Sequence, residues 1–378
     1  MKAPDDFAGK NKELIEKFQK HLQLNGLKEG TIANKIWLVR NLIRYYNNKP
    51  LDEITKDEIE EYILHRRKTW KPKTAHNDMV EIRVFYNWLK PDNNFFEDIK
   101  RGRQRRKLPT KRPMIAADVH KLLQVCQTQR DRALTALTWD SAARIGEILN
   151  LNVGDVAFDQ YGGIITVDGK TGMRRIRLVD AVPELQLWLN QHPYKNNPDR
   201  PLFTISRKRD DEFKRLSIRT VQNLFKTLGK DSGIKMNVHP HAFRHGKLTE
   251  MVKMGMKEME LRIFAGWEPG SDMPATYLHL SGEDVDKRIL SIHGIVTEED
   301  QMEKDEDLKP IECPRCQMKN PHDSKYCSSC SMVLDKKTAI KLDTEMKTAD
   351  DKLTQLMQSK VDELVEARIN EVLKKMNY

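Results

Sequence analysis

Apolar positions along the first hundred residues recur at helical spacing. Leu14, Phe18 and Leu22 share one face until Asn25-Gly26 stops the run, and Ile32, Ile36, Val39 and Ile43 form a second stripe that Thr31 is placed to open. Thr55-Lys-Asp-Glu58 reads as a capping box before Ile59 and Ile63. A fourth helix after Pro72 carries Met79, Ile82, Phe85, Tyr86 and Leu89. These sets predict a small four-helix domain over residues 1–92 whose polar faces are rich in Lys and Arg, among them Arg66, Arg67, Lys68, Lys71 and Lys73.

The pattern then breaks. Residues 93–113 form a linker in which positions 100–112 hold eight cations, including Arg101, Arg103, Arg105, Arg106 and Lys107, and like charges so close together favour an extended chain. Periodicity resumes near Met114, where Asp118 is placed to cap a helix that holds Cys126. Two β-branched runs, 164–167 and 175–179, flank Asp168-Gly-Lys170-Thr-Gly172, and this turn chemistry predicts a hairpin with Lys170 at its exposed tip. Val221, Leu224, Phe225 and Leu228 mark another helix, which Gly229 is expected to end. The fold expected is mainly α with a small β-sheet.

Charge narrows the partner. The 378 residues carry a net charge of +10 and a pI near 9.1, which favours a polyanion such as DNA. No apolar run approaches the roughly 20 residues of a membrane span, and Met-Lys-Ala-Pro-Asp-Asp has no secretory apolar segment, so a cytoplasmic, nucleoid-associated protein is expected. Of five cysteines, four stand as Cys313-Pro-Arg-Cys316 and Cys327-Ser-Ser-Cys330, the spacing of a short zinc ribbon. Four thiolates complete a tetrahedron, so Zn²⁺ here would be structural. The acidic stretch at 296–310 is expected to tether the ribbon at 311–335. Residues 336–378 should form an amphipathic helix, where Leu342, Met346, Ala349, Leu353 and Leu356 alternate steps of four and three as in a coiled-coil seam. Docking of that helix on its own chain is the alternative to self-association.

The chemistry lies between. Arg144 sits in Ser-Ala-Ala-Arg144-Ile-Gly-Glu147, and His241-Ala-Phe-Arg244-His245 is followed by Gly266-Trp267 and by Tyr277. Guanidinium forks match the non-bridging oxygens of a phosphate, and a tyrosine relieved of its proton is a nucleophile. His241 alone stands three residues before Arg244; His245 is expected to support packing or a backbone contact and His239 to belong to the loop. The indole of Trp267 donates a hydrogen bond but accepts no proton.

The ordered set Arg144, Lys170, His241-x-x-Arg244, Trp267 and Tyr277 resembles the tyrosine recombinase (phage-type integrase) family, including archaeal and viral integrases, over roughly residues 10 to 293. Three departures stand out. The family's glycine two residues before the first arginine is missing from Ser-Ala-Ala-Arg144, Trp267 replaces the commoner histidine, and Tyr277 follows it by ten residues, about one more than the family pattern. The resemblance implies an N-terminal core-binding domain on duplex DNA and a mixed α/β catalytic domain over residues 114–295. It also implies a tetramer on synapsed DNA and cleavage through a 3′-phosphotyrosyl link without ATP or a catalytic metal. Arg144 and Arg244 would stabilise phosphate charge, Lys170 would protonate the leaving 5′-oxygen, and His241 would accept the tyrosine proton or hold the phosphate. A type IB topoisomerase using the same residues, or a DNA-binding protein with a decayed site, are the alternatives.

Overall fold

A computed structural model describes residues 9–99, 112–169, 172–205, 212–277, 289–290, 293–294 and 308–376. The chain divides into two compact units, Met1–Leu108 and Pro109–Tyr378.

The first unit holds the four helices expected: α1 (Lys10–Leu24), α2 (Glu29–Tyr45), α3 (Lys56–Thr69) and α4 (Pro72–Leu89). Their apolar stripes close one core around Phe18, Leu42, Ile43, Ile59, Phe85 and Tyr86. The capping box at α3 is formed on both sides: Glu58 donates its backbone N–H to Thr55 Oγ1, and the Thr55 N–H returns to Glu58 Oε2 at 2.9 Å. Thr31 does not open α2. Lys28 takes the cap position and Thr31 lies within the first turn. Asn11, buried, ties α1 to the segment after α2 by donating to the Asn48 and Lys49 carbonyls and accepting from the Leu51 N–H.

One residue of the expected basic surface is not on it. Arg66 is buried, its guanidinium gripped by the buried Asp78 (Nε to Oδ2 2.6 Å) and stacked over Trp70. With its donors committed to a carboxylate, Arg66 holds α3 to α4 and has no charge to spare for a phosphate. Arg67, Lys68, Lys71 and Lys73 are exposed around the α3–α4 turn. Arg101, Arg103, Arg105, Arg106 and Lys107 lie outside the described residues.

The second unit runs α5 (Ala116–Gln124), α6 (Gln129–Asp140), α7 (Ile145–Asn150), β1 (Val156–Asp159), β2 (Gly162–Gly169), β3 (Gly172–Leu178), α8 (Val182–Gln191), α9 (Ile218–Asp231), α10 (Pro240–Lys253) and α11 (Glu258–Ala265). The hairpin is present as β2–β3, and β1 extends it to an antiparallel three-stranded sheet in the order β1-β2-β3. The sequence pattern missed β1 because its four residues are half or fully exposed and carry no apolar alternation. Asp118 does serve at the start of α5, but as the third helical residue. It accepts the Ile115 N–H at 3.1 Å and the fork of Arg112 at 2.6 and 2.8 Å. Cys126 falls just beyond the end of α5. Gly229 does not end α9, which continues to Asp231. A Cβ there would lie 2.6 Å from Val238, so the glycine serves close packing.

The core of this unit buries α6 almost entirely, with Leu134, Leu137 and Trp139 fully covered and Phe203, Phe225 and Phe243 packed around them. After α11 come a two-stranded ribbon, β4 (Ile311–Glu312) and β5 (Lys319–Asn320), and α12 (Lys336–Met376), a 41-residue helix. Leu308, at the end of the expected tether, is buried in the core of the second unit.

Removing one partner of a buried ion pair leaves a charge without compensation, at a cost of about 3–5 kcal/mol. Asp78→Ala is therefore expected to lower the stability of the N-terminal unit by about 3 kcal/mol, whereas Arg66→Met with Asp78→Leu stays within about 1 kcal/mol of the parent. Denaturant unfolding of the full chain, followed by the tryptophans of that unit, measures both.

Candidate active site

Arg144 caps α7 from outside, with extended backbone, and its N–H is accepted by Glu147 Oε2 at 3.0 Å. Its side chain, about one third exposed, donates through Nη1 to Glu147 Oε1 at 2.8 Å. Glu147 is buried. Burial alone would raise its carboxyl, but the guanidinium of Arg174 on β3, together with the N–H and fork of Arg144, holds it below the ordinary value. The turn that delivers Arg144 explains the missing glycine. Ala142 has φ +45°, a left-handed conformation that glycine adopts freely and alanine only with strain. Alanine is tolerated because its methyl is fully covered in a small apolar cluster with Leu248, Leu261 and Trp267.

Arg244 projects from α10 and is 4% exposed. Its fork is fixed by two backbone carbonyls, Ala142 at 2.8 Å and Ala265 at 2.7 Å, and it lies over the Trp267 ring. Burial first, and then the charge of Arg144, lower it to about 10. Desolvated cations so close together are what an anionic ligand would relieve. Tyr277, itself buried, stacks between the rings of His245 (5.2 Å between centroids) and Trp267 (5.4 Å). Burial raises its phenol, and Arg244 partly opposes that rise, so loss of its proton needs an acceptor.

Arg144, Arg244, Trp267 and Tyr277 thus surround one site, and Lys170 lies outside the described residues. His241 is exposed at the start of α10, with its ring 6.5 Å from that of His245. The ring in contact with Tyr277 is that of His245, for which the sequence suggested packing or a backbone contact. One side of this exposed ring is shielded from water, and that desolvation, followed by the charges of His241 and Arg244, holds its pKa below the ordinary imidazole value. The sequence also gave no sign of Arg174, whose importance depends on which strand face it occupies.

The four ribbon cysteines are brought together as expected, with their sulfurs within 4.8 Å of one another. Cys313 and Cys330 stand 3.6 Å apart and Cys316 and Cys327 3.5 Å. A tetrahedron of Zn–S bonds of about 2.3 Å needs S···S separations of about 3.8 Å, so the set fits zinc. The two knuckles are built alike: the Cys313 N–H donates to Met318 O and the Cys327 N–H to Met332 O, and the residues after the second cysteines, Gln317 and Ser331, have φ near +60°. Asn320, fully buried, braces the second knuckle through Ser328. The ribbon does not hang free. Asp323 accepts from Arg132 of α6 at 3.0 Å, an arginine that also grips Glu184, and His322 meets His120 of α5.

Residues 113–283 match the phage integrase family, and residues 14–93 match the N-terminal SAM-like domain of phage integrases. The chain belongs to the phage integrase family. The tyrosine recombinase XerA of Pyrococcus horikoshii is 25% identical over 249 residues, 65% of this chain and 82% of that protein. XerC of Chlamydia caviae is 27% identical over 61% of this chain and 76% of its own length. Among solved structures, the XerH site-specific recombinase in a pre-cleavage complex with its difH substrate superposes with a TM-score of 0.56 at 16% identity. That match covers 75% of this chain and 84% of XerH. A lambda integrase dimer on a core site gives 0.54 at 16% identity over 71% of this chain and 95% of that one. The family matches end at residue 283, before the ribbon and α12. The chain is a tyrosine-type site-specific recombinase with a C-terminal addition.

Ala142→Gly is expected to leave stability within about 1 kcal/mol, because relief of strain and loss of a buried methyl oppose each other. Ala142→Val, β-branched and overpacked at positive φ, should cost about 2–3 kcal/mol. Thermal unfolding of both variants checks the pair.

Proposed function

We propose that this protein cleaves and rejoins duplex DNA through Tyr277, in a site built from Arg144, Lys170, His241, Arg244 and Trp267. The observation that carries the reading is the enclosure of one tyrosine between His245 and Trp267, beside two arginines whose forks are fixed in advance. Cations held in place before the reaction need no reorganisation when charge grows on a phosphate. The Tyr277 oxygen attacks the scissile phosphorus, a Tyr–O–P bond forms, and the P–O5′ bond breaks. The phenolic proton passes to a histidine or water, and the departing 5′-oxygen takes a proton from Lys170. One phosphodiester is exchanged for another, so neither ATP nor a metal enters the balance.

Arg244 and Arg144 take the non-bridging oxygens, and Trp267 supplies an indole donor and the wall against which Tyr277 rests. His241, exposed at the mouth, is the proton acceptor or phosphate ligand, and His245 orients the phenol. The exposed Arg67, Lys68, Lys71 and Lys73 and the basic linker hold phosphates without reading sequence. Four chains on two synapsed duplexes complete recombination, and α12, with Met346, Leu353, Leu356, Val361 and Leu364 exposed along it, joins copies of the chain. Zinc in the Cys313, Cys316, Cys327 and Cys330 set is structural. No described helix is long and apolar enough to cross a membrane; the site of action is the nucleoid.

Tyr277→Phe should bind DNA as the parent does and form no covalent adduct. Lys170→Ala should cleave slowly for a different reason, because the 5′-oxygen leaves poorly without a proton. A scissile phosphate with sulfur at that bridging position, whose thiolate leaves unaided, should restore adduct formation to Lys170→Ala and not to Tyr277→Phe. Adduct bands on denaturing gels measure this. Failure of sulfur to rescue Lys170→Ala removes the lysine as proton donor, and an adduct in Tyr277→Phe removes the whole reading.

Purified protein is expected to carry one Zn²⁺ per chain, lost in Cys313→Ser. Elemental analysis finding no metal while all four thiols react freely would refute it.

A further inference from the structure

Arg174 lies two residues past the hairpin turn, on the face of β3 opposite the exposed Arg175. Its side chain is nine-tenths buried. Nη2 donates to Glu147 Oε2 at 2.7 Å, Nε donates to the Phe264 carbonyl at the end of α11 at 3.2 Å, and Nη1 finds no acceptor among the described residues. Two glycines make room for it. A Cβ on Gly266, which has φ +63°, would lie 2.8 to 3.0 Å from three guanidinium atoms. A Cβ on Gly169 would lie 2.6 Å from Glu147 Oε1 and 3.2 Å from Arg174 Nη1. The chain leaves side chains out at both places where the Glu147–Arg174 pair is packed.

A carboxylate beside a phosphate-binding arginine is a problem as well as an anchor. Glu147, buried and ionised, competes with phosphate for the fork of Arg144. With both oxygens free it would take Arg144 bidentately and cancel its charge. Here Oε2 is taken by Arg174 Nη2 at 2.7 Å and the backbone N–H of Arg144 at 3.0 Å, and the fork of Arg144 is held at Oε1 by Nη1 alone. The three groups together keep one net positive charge, and Arg144, one third exposed, keeps donors for a ligand.

We infer that Arg174 is a positioning residue for cleavage: by taking one oxygen of Glu147 it leaves the fork of Arg144 free to receive the scissile phosphate. The same bonds join β3, α7 and the end of α11, so the position of Arg144 is set relative to Gly266-Trp267. This rests on the recombinase reading above, and the parent protein tests that reading separately: if the parent forms no adduct, the recombinase reading fails and not this one.

Arg174→Met in the full chain is expected to bind DNA within about twofold of the parent and to form adduct about 100-fold more slowly, the size of one lost charge-stabilising donor. Two further results separate positioning from simple support of the fold. A scissile methylphosphonate, which lacks one non-bridging charge, should shrink the Arg174→Met defect at least fivefold, because less is asked of Arg144. Adding Glu147→Gln to Arg174→Met should raise the rate about tenfold at unchanged DNA affinity, because a neutral amide holds Arg144 less firmly. An undiminished defect on methylphosphonate, or a double variant as slow as Arg174→Met, overturns the inference. If Arg174→Met does not fold, Arg174→Lys takes its place. It keeps a charge at Oε2 and should cleave within about tenfold of the parent, and a folded lysine variant slower than Arg144→Ala equally overturns it.

Discussion

Cations must be held close together out of water before their ligand arrives, and this constraint shapes the catalytic unit. Arg244 is 4% exposed and Arg174 nearly as covered, with Arg144 beside them. Like charges in a low-dielectric interior repel strongly, so the surroundings must supply acceptors in fixed places. They do so sparingly. Arg244 receives two backbone carbonyls, which orient the fork without cancelling its charge, and the single carboxylate of Glu147 is divided between Arg144 and Arg174. Several details of the fold follow from this arrangement. The left-handed turn at Ala142 aims one carbonyl, the end of α11 aims the other, and Gly266 lets the chain turn over Arg174.

Tyr277 obeys the same logic. Tyr277 is covered by two aromatic rings, and burial pushes its phenol up while Arg244 opposes the rise. His245 is positioned by α10 alone, one helical turn from His241. The one helix therefore sets His241, Arg244 and the ring that stacks on Tyr277.

The C-terminal addition is bound into the catalytic unit. Arg132 bridges buried Glu184 and Asp323, His120 meets His322, and Leu308 fills the core. The ribbon is thereby held against α5, α6 and α8. From it α12 extends for 41 residues with Ile340, Met346, Leu353, Leu356, Val361 and Leu364 exposed, starting at a cap in which Thr338 donates to Asp335.

Much of this was legible in the chain itself. Period-3.6 stripes located the four N-terminal helices, turn chemistry located the β2–β3 hairpin, and cysteine spacing located the ribbon. These signals are local, carried by residues within one or two turns of each other. The ordered Arg, Lys, His, Arg, Trp and Tyr set identified the family because its chemistry needs those side chains whatever the background. Contacts between distant segments were not legible. Arg66 looked like one more cation beside Arg67 and Lys68, and only the packing of α3 on α4 showed it committed to Asp78. His245 and Arg174 carry no motif; their roles depend on which ring a helix turn brings to Tyr277 and which strand face meets Glu147. Sequence determined most of the elements that form and the family whose residue set the chain carries. Tertiary structure alone decided which charges stay free, because a charge is neutralised only by an opposite charge that the fold brings into hydrogen-bond contact with it.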